Sequence, residues 1–441
     1  MKTRTWSCVL LMAAGATLIA GNIQSAATDT LCVNPGGKSG CFAKIGDAFT
    51  AAMAGDTIQV APGTYAEDVV IGKSLSLIGA NSANTTINAT GKGNGIYIDG
   101  LDAKPPFSPL SEVVVTGFTV QNANFEGILV TNASSVTISD NRVVSNNLAL
   151  VVTPPPAKCP GIPGFETSED FDCGEGIHLS GVDHSTVSGN LIENNAGGIL
   201  LSDDTGATHD NLIIGNIAQN NPFDCGITLA SHPLDPNLPP EIPPTRGVDN
   251  NTISGNQSSG NGVAVLGAGA GVGLFVAGGG LETAGNVVID NQLTNNGLPG
   301  VAFHLHTPFA GQNLNKNLIA DNTISGNGAD TEDAKTPGPT GINVFTNAHA
   351  APITGTVIVQ NIIKNEQVDI VANTGAGGLV DAHLNNLLGK ATGVDNLGTG
   401  TVNATVNWWG CSKGPGASGC ASVVGKGVTS TPWLTAPTAQ P

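Results

Sequence analysis

The sequence predicts an all-β protein: a single-stranded, right-handed parallel β-helix, or solenoid, with a short capping helix at its N-terminal end. Three observations favour this fold class. An asparagine-rich motif recurs about once per coil, a glycine-led apolar run follows it, and the 441 residues include 60 glycines but only 4% aromatic residues. One coil cannot bury its own apolar side chains, whereas stacked coils bury them against each other. A repeat of this period therefore predicts a solenoid.

The asparagine-rich motif runs from SDNRVVSNN at Ser139 to VQNIIKNE at Val359. Its first column is Asn141, Asn190, Asn216, Asn256, Asn291, Asn322 and Asn361. Its second column, five residues later, is Asn146, Asn195, Asn221, Asn261, Asn296 and Asn327, with Glu366 in the last place. We expect asparagine at these corners because it tolerates left-handed backbone geometry. Its amide can also bond the same amide one coil away, which would form a ladder along the rod.

The glycine-led runs form another set of equivalent positions. In each run the second and fourth residues are apolar, which is the period of a strand. The runs begin at Gly95, Gly127, Gly176, Gly198, Gly226, Gly273, Gly300 and Gly341. We interpret them as one parallel sheet that extends along the rod, with the second and fourth positions facing the core.

The chain is predicted to hold one β-helix domain between two caps. A basic start, an apolar run and small residues predict a signal peptide over 1–27, so we expect a secreted or periplasmic protein. Residues 28–54 are predicted to form a disulfide loop and the capping helix, 55–406 the β-helix, and 407–441 a C-terminal cap and tail. No later segment has the length and apolarity to span a bilayer, so we expect no membrane insertion.

Both ends of the rod carry residues suited to covering it. One face of a short helix ending at Gly55 is predicted to hold Phe42, Ile45, Phe49 and Met53. Such a helix would cover the apolar end of the first coil and protect a strand edge from pairing with another chain. At the other end, NWWG at 407–410 is predicted to form a second lid whose tryptophans pack against the last coil.

Seven of the eight cysteines follow the predicted cleavage site, and their spacing predicts three local disulfides. The pairs are Cys32 with Cys41, Cys159 with Cys173, and Cys411 with Cys420. Such disulfides are typical of an oxidising compartment. Cys225 is left over, and three interpretations stay open: a buried free thiol, an alternative pairing with Cys173, or a reactive thiol.

The charge of the chain excludes some partners. It carries 16 basic and 34 acidic residues, a net charge of −18, and loss of Lys2 and Arg4 with the signal peptide would change this to −20. Such a surface repels nucleic acid and anionic lipid, so we expect no nucleic-acid partner. It also repels an acidic polysaccharide unless a cation bridges the two.

Several stretches of the sequence resemble known β-helix proteins. GDTIQVAPGTYAE from Gly55 and KSLSLIG from Lys73 look like the opening of pectin-lyase-like β-helix proteins. The asparagine-rich coils and the closing NWWG resemble right-handed β-helix repeat proteins, including periplasmic ones linked to copper-enzyme maturation. The resemblance implies the fold. It also implies a superfamily that holds lyases, hydrolases, esterases, epimerases and adhesins.

Counting along the predicted sheet generates a candidate site. The sixth residues after the last five column glycines are Asp204, His232, Gly279, His306 and Asn347. Stacked strands lie ~4.8 Å apart, so we expect Asp204 beside His232, with His306 two coils further along. The longest insertions flank the same strands, at 153–174, 233–247, 263–270 and 328–339. Long loops beside one strand column are predicted to form the walls of a groove.

Several chemistries are open for this groove. A hydrolase would use Asp203 and Asp204 as paired carboxylates, one protonating the leaving oxygen and one activating water. LSDD at 201–204 resembles the paired-Asp region of polygalacturonases, but the Gly-His-Gly and Arg-x-Lys elements of that family are missing. A lyase would use His232 or His306 as its base.

A cation is needed in the lyase alternative to neutralise the carboxylate of a uronate. Arg246 follows the 233–247 insertion and is one candidate. A calcium ion held by Asp203, Asp204 and Asp224 is another, because calcium prefers oxygen ligands. A transition metal on His232 with Asp204, or on His304 with His306, is a separate possibility. The substrate-binding candidates are His178, Thr228, His304 and Lys316.

The sequence therefore predicts a secreted carbohydrate-active protein, a polysaccharide lyase or glycoside hydrolase, with its polysaccharide laid along the 198–306 part of the sheet. A non-catalytic rod that binds glycan or has a structural role at a surface is the alternative. A periplasmic metal-handling β-helix protein is the second alternative.

Overall fold

The computed structural model describes most of the chain after the predicted signal peptide, which lies outside the described residues. The described residues are 28–101, 110–153, 155–165, 173–233, 246–304, 310–332, 334–346 and 351–438. Over these residues the chain winds into successive coils, each contributing one strand to each of three parallel sheets. The predicted fold class, a right-handed parallel β-helix, is confirmed.

Sheet 1 begins and ends the described fold. Its strands are Thr30–Val33, Thr57–Val60, Ser76–Gly79, Val114–Thr116, Thr137–Ser139, Thr186–Ser188, Leu212–Ile214, Thr252–Ser254, Val287–Ile289, Leu318–Ala320, Thr356–Val359, Leu379–His383, Thr401–Asn403 and Val428–Thr429. Sheet 2 consists of Gly63–Tyr65, Thr85–Asn88, Thr119–Gln121, Arg142–Val144, Leu191–Glu193, Ile217–Gln219, Gln257–Ser259, Gln292–Thr294, Thr323–Ser325, Ile362–Lys364 and Asn386–Leu388. The first and last strands of sheet 1 extend the stack beyond the predicted 55–406 boundaries.

Sheet 3 holds the predicted glycine-led runs. Its main strands are Val69–Ile71, Ile96–Asp99, Ile128–Ser134, Ile177–Asp183, Ile199–Ser202, Ile227–Ser231, Val272–Val276, Val301–His304, Thr340–Phe345, Val368–Asn373, Thr392–Asn396 and Ser422–Gly425. Short strands beside them are Leu110–Ser111, Thr208–His209 and Val248–Asp249. Every strand pair of the three sheets is parallel; the lone antiparallel contact among the described residues is the bridge between Val151 and Lys158.

The core lies inside the coils and consists of stacked aliphatic columns. Ile128, Ile177, Ile199 and Ile227 are consecutive partners in sheet 3, and each is at most 1% exposed. Complete burial of one such side chain contributes about 1.5–3 kcal/mol. Inward-facing residues of this kind repeat on every coil, so the hydrophobic stabilisation is spread evenly along the rod.

The glycine column exists because the chain passes close to sheet 2 at this corner. A Cβ on Gly127 would lie 2.1 Å from Val143, and one on Gly176 would lie 2.2 Å from Ile192. The prediction was wrong at one coil, where Gly271 rather than Gly273 continues the column, because Val272 pairs with Ile227. The two glycines are two residues apart, so the inward and outward positions still alternate as predicted.

The predicted asparagine ladders are formed. Asn190 shows the pattern. Its Oδ1 accepts from the backbone N–H of Asn141 at 3.0 Å and from the side-chain amide of Asn141 at 3.1 Å. The first ladder continues past its predicted end at Asn361 to Asn385 and Asn407. The second ladder ends at Glu366, whose Oε1 accepts the two bonds that an asparagine would accept.

The physical reason given above for asparagine at the corners was wrong. The left-handed residue is the one before each ladder asparagine, as at Asp140 (φ 55°), Asn194 (φ 57°) and Asn220 (φ 55°). Several coils have glycine there, for example Gly215 before Asn216. The ladder asparagine itself is selected by its hydrogen bonds, since its amide both donates and accepts inside the rod.

A third ladder lies at the corner between sheets 3 and 1 and was not predicted. It links Asn211, Asn251, Asn286 and Asn317 by amide bonds of 2.9–3.4 Å. These asparagines stand five residues before the first-ladder asparagines of their own coils. The three corners of a coil are therefore five residues apart, and the remaining side, sheet 3, takes the rest of the coil.

The N-terminal helix covers the first coil, as predicted, but it is shorter than expected. It spans Ile45–Ala51 and buries Ile45 and Ala48, with Phe42 and Phe49 partly buried against the core. Met53 lies after the helix and is 72% exposed, because the chain becomes extended at Ala52. A 3₁₀ turn at Lys38–Gly40 precedes the helix. At the C-terminal end Trp409 is fully buried, which confirms packing there.

All three predicted disulfides are formed. Their Cα–Cα distances are 4.8 Å for Cys32–Cys41, 6.1 Å for Cys159–Cys173 and 5.2 Å for Cys411–Cys420. Cys225 is a buried free thiol, its Sγ accepts from the backbone N–H of Ala270, and burial raises its pKa. No helix in the described part of the chain is long and apolar enough to cross a membrane.

Candidate functional site

The centre of the candidate site is a carboxylate–imidazole contact between adjacent coils. Sheet 3 pairs Ser202 with Ala230, so the chain places Asp204 directly opposite His232. The Nδ1 atom of His232 lies 3.0 Å from Oδ1 of Asp204. A carboxylate accepts, so Nδ1 carries the hydrogen in this contact. This neighbour relation confirms the register count made on the sequence.

The carboxylate of Asp203 is hydrogen-bonded within the protein, and its predicted catalytic role stays a prediction. Its Oδ1 accepts from the backbone N–H of His232 at 2.8 Å. Its Oδ2 accepts from Ser231 Oγ at 2.7 Å and from the backbone N–H of Gly247 at 2.8 Å. Both oxygens are committed to the protein, so Asp203 fixes the strand end and the returning chain at Gly247 and is poorly placed to exchange protons with a substrate.

Arg246 lies against the same strand end. One terminal nitrogen, Nη1, donates to the backbone carbonyl of Asp203 at 2.5 Å and to that of Asp204 at 3.3 Å. Within the described part of the chain, its Nε and Nη2 atoms are buried and make no hydrogen bond. Burial lowers the pKa of Arg246, and the carboxylates of Asp203 and Asp204 oppose this shift.

A second histidine reaches Asp204 from the preceding coil. His178 Nε2 lies 2.8 Å from Ser202 Oγ, and this hydroxyl donates to Asp204 Oδ2 at 2.5 Å. Asp204 therefore stands between two imidazoles. Burial opposes its ionisation, yet the charges of His232 and His178 and the Ser202 hydroxyl outweigh that cost and hold the pKa of Asp204 well below its usual range. By contrast, burial raises the pKa of Asp203, against the opposing backbone bond from His232.

Other predicted residues are not brought to this centre. Asp224 lies before its own strand and close to Gly197 on the neighbouring coil. Asp203 lies six residues after Gly197, at the other end of that coil's strand. At about 3.3 Å per residue this separation is too large for one calcium ion to bind Asp224 together with Asp203 and Asp204. Thr228 lies four residues before His232, in register with Leu200 and beside Cys225.

The remaining candidates lie further along the rod. Lys316 occupies an exposed left-handed corner (φ 61°) two coils beyond His232, directly before a third-ladder asparagine. The backbone of His304 ends a strand of sheet 3. The side chain of His304 and the whole of His306 lie outside the described residues, so their predicted roles stay predictions.

Two functional candidates were missed by the sequence reasoning: Glu126 and Glu175. They precede the column glycines Gly127 and Gly176 on adjacent coils, and with His178 they bring three ligand atoms within 4.8 Å of one another. Counting one residue before each column glycine, as well as six after it, would have found both glutamates. The signal was present in the pattern Glu-Gly-Ile at both coils.

A further acid pair lies next to Gly247, at the edge of the site. A Cβ on Gly247 would be 2.4 Å from Asp249 Oδ2 and 3.1 Å from Glu282 Cγ. Burial and the neighbouring Glu282 carboxylate raise the pKa of Asp249 to about 7. Between about pH 4 and pH 7 the folded protein therefore holds a proton that the unfolded chain has released, and stability falls as pH rises through that range.

We expect Asp249→Asn to remove this pH dependence. The variant should match the wild type near pH 4 and exceed its unfolding temperature by about 2 °C at pH 8, because it carries no charge to bury. Thermal unfolding followed by circular dichroism from pH 4 to 8 measures the effect. Asp140→Asn, at an exposed corner, serves as the control and should leave the profile unchanged. An identical pH profile for Asp249→Asn and the wild type would contradict the prediction.

Comparison with known proteins agrees with the observed fold. The family model described as the right-handed β-helix region matches residues 76–308, more than half of the chain. The chain belongs to this right-handed β-helix family. A search of curated protein sequences finds no significant match.

Solved structures similar to this β-helix protein share its fold at low identity. The DFA-IIIase of Arthrobacter chlorophenolicus A6 without its lid is 14% identical with a TM-score of 0.55, and the match covers 92% of this chain and 100% of that one. The same enzyme in complex with GF2 is 15% identical with a TM-score of 0.53, over 88% and 90% of the two chains. The Dettilon tailspike protein is 12% identical with a TM-score of 0.47, and the match covers 85% of this chain but 62% of the tailspike.

Proposed function

We propose that this protein is a carbohydrate-active enzyme, specifically a polysaccharide lyase that acts on a uronate-containing chain. The observation that carries the proposal is the juxtaposition of the Asp204–His232 pair with the uncommitted Nε and Nη2 donors of Arg246. The similarity in fold to the carbohydrate-active DFA-IIIase, at 14% identity, supports the fold on which the proposal is built.

The proposed chemistry assigns one step to each group. Arg246 would bind the uronate carboxylate through Nε and Nη2, the two parallel donors that match a carboxylate. Binding there acidifies the C–H bond beside the carboxylate. His232 Nε2 would accept that proton while Asp204 holds the ring orientation and stabilises the imidazolium that forms. The electron pair left on C5 forms the C4–C5 double bond as the bond between C4 and its oxygen breaks, and the His232 imidazolium would return the abstracted proton to that departing oxygen.

The committed oxygens of Asp203 support a lyase over a hydrolase. A hydrolase needs two carboxyl groups, one protonated and one able to activate water. Asp203 accepts three protein hydrogen bonds, and Asp204 stays ionised between its imidazole partners. Neither carboxyl is suited to protonating a leaving oxygen.

The proposal requires that the substrate reaches the His232 side chain, which is buried in this structure. The His232 side chain is 1% exposed and meets the ring of Phe275 edge-on, with 6.2 Å between ring centroids. Because both side chains of the pair are buried, their electrostatic contact is stronger than it would be in water. A polysaccharide would therefore have to displace part of the surrounding chain before proton transfer.

A panel of acidic and neutral polysaccharides tests the proposal. Products would be followed by the ultraviolet absorbance of unsaturated uronate and, in parallel, by new reducing ends. We expect absorbance to rise together with reducing ends on an acidic substrate and neither to change on neutral ones. Reducing ends without absorbance would replace the lyase by a hydrolase. No product on any substrate, with tight binding to one of them, would favour the non-catalytic glycan-binding rod.

A further inference from the structure

We propose that the outer face of sheet 1 is the interface of a homodimer, in which this face of one chain packs against the same face of a second copy. The two-fold axis runs parallel to the rods, so each coil meets the equivalent coil of its partner. The inference goes beyond the proposed lyase activity and does not depend on it.

The first support is the composition of this face. Inward and outward side chains alternate along each strand, so each coil presents a row of two outward residues. From the strand Thr57–Val60 to the strand Thr401–Asn403, these rows hold one side chain that is charged at neutral pH, Asp381. The outward positions of sheet 2, by contrast, include Arg142 and Glu193. A strongly acidic chain thus keeps charge off one long face, which is typical of the centre of a protein interface.

The second support is an apolar stretch in the middle of the face. Its rows include Leu212 with Ile214, Val287 with Ile289, and Val357 with Val359. Each of these six side chains is at least partly exposed, and Ile214 is 37% exposed. Contiguous exposed aliphatic side chains on a monomer mark an interaction surface. Packing two copies together would remove this apolar surface from water.

The third support is that the face complements itself about the proposed axis. This axis places the first outward residue of each row opposite the second outward residue of the same row in the partner. Aliphatic rows therefore meet aliphatic rows. The hydroxyl row between them, Thr252 with Ser254, meets its own equivalent. Asp381 lies opposite His383 of the partner subunit, an imidazole that can pair with the carboxylate.

The fourth support is the charge at the two edges of the face. Lys316 is exposed at the corner before sheet 1, and Asp321 lies at the corner after it on the same coil. Within the described part of the chain, Oδ1 of Asp321 is buried and makes no hydrogen bond. Burial raises the pKa of Asp321, and the carboxylate of Asp290 on the preceding coil adds to this shift. The proposed axis brings the partner's Lys316 to Asp321, and it does so twice in the dimer.

The size of the face matches what a stable dimer needs. Twelve strands, from Thr57–Val60 to Thr401–Asn403, extend over ~53 Å at ~4.8 Å per strand. The five-residue spacing of the two corners gives a width of ~16 Å at ~3.3 Å per residue. These dimensions give about 800 Å² for each copy, the size of a standard protein–protein interface. Sheets that pack face to face lie about 10 Å apart, a gap that aliphatic and hydroxyl side chains fill.

The mass of the processed protein in solution tests the inference. Sedimentation equilibrium over a range of chain concentrations gives the stoichiometry and the dissociation constant, and we expect a dimer for the wild type. Ile289→Glu should weaken association by at least about 30-fold, the effect of a residue that dominates an interface, because it buries a carboxylate against an aliphatic row. The matched control is Thr294→Glu, at the equivalent outward position of sheet 2 on the same coil. It should dimerise like the wild type.

Charge reversal tests the direction of the axis. Lys316→Glu should weaken association roughly 10-fold at low salt, because it places two carboxylates against each other. The double variant Lys316→Glu with Asp321→Lys should recover the dissociation constant of the wild type. Recovery is expected because the reversed charges meet again when Lys316 of one copy faces Asp321 of the partner subunit. Circular dichroism identifies any variant that fails to fold.

A wild type that stays monomeric at every concentration would overturn the inference, and so would a dimer that survives Ile289→Glu. Equal loss of association in Lys316→Glu and in the double variant would overturn the proposed axis. A monomeric wild type whose polysaccharide binding is weakened by Ile289→Glu would show that the face binds glycan, which also overturns the dimer. Association is measured without polysaccharide, so failure of the lyase proposal would be seen separately.

Discussion

Replacement of His232 by alanine should lower kcat/KM on the cleaved polysaccharide by roughly 10²–10⁴-fold, the usual contribution of a positioned acid–base group. Asp204→Asn should also cause a large loss. The amide keeps the size of the carboxylate but cannot stabilise an imidazolium, and it can present N–H where His232 Nδ1 needs an acceptor. Initial rates by ultraviolet absorbance, at several substrate concentrations, separate a loss of kcat from a rise in KM.

The chain offers a close control for this prediction. His209 and Asp210 form a similar contact, 2.8 Å between Nδ1 and Oδ2, but at an exposed corner beside the same sheet. His209→Ala should leave kcat/KM within about twofold, because an exposed pair of this kind contributes little. If His209→Ala and His232→Ala lose activity equally, the assignment of His232 is wrong. If neither variant changes the rate, the base lies elsewhere in the protein.

The largest expected effect on stability comes from the middle of the first asparagine ladder. Asn256 Oδ1 accepts from the N–H and the amide of Asn216, at 2.9 and 3.1 Å. Its own amide donates to Asn291 at 3.0 Å and to the carbonyl of Ile213 at 2.9 Å. Asn256→Ala removes all four bonds and leaves buried polar groups on two coils without partners. Each such group costs about 1–3 kcal/mol, so we expect a loss of roughly 3–6 kcal/mol.

The urea midpoint and the amide hydrogen exchange of the neighbouring coils measure this loss. Gln257→Ala is the matched control, because Gln257 is the next residue and its side chain is exposed; its free energy of unfolding should change by less than about 0.5 kcal/mol. Faster exchange should be confined to the coils around Asn216 and Asn291, since each coil of a solenoid contacts only its neighbours. Equal midpoints for the two variants would show that the ladder is not stabilising.

Much of the fold was predictable because each coil repeats the same physical solution. The apolar columns, two of the three ladders and the register that joins Asp204 to His232 all follow from counting equivalent residues. The count failed at Gly273, because Gly271 and Gly273 both fit the pattern and the preceding insertion hides where the coil restarts. The third ladder, at Asn211 and its equivalents, was missed because its members stand outside the motif chosen as the repeat.

The candidate site was harder to predict than the fold. Sequence position gave the neighbours of Asp204, but it could not give the hydrogen bonding of Asp203. The oxygens of Asp203 accept from the Ser231 hydroxyl and the His232 N–H before the 233–247 insertion, and from the Gly247 N–H at its end. Sequence position also could not give the contact from His178 to Ser202, which is diagonal between coils. Asp224 was wrongly grouped with Asp203. The two residues lie on neighbouring coils, but Asp224 lies before its strand whereas Asp203 follows its strand.

The fixed five-residue spacing of the corners also bears on how such a chain can change over evolutionary time. Successive first-ladder asparagines are separated by as many as 49 residues, between Asn141 and Asn190, and as few as 22, between Asn385 and Asn407. Both steps keep the same amide bonds. Insertions and deletions beside sheet 3 are thus absorbed without disturbing the ladders, so new surfaces can be acquired on one side of the rod while the other two sides preserve the inherited framework.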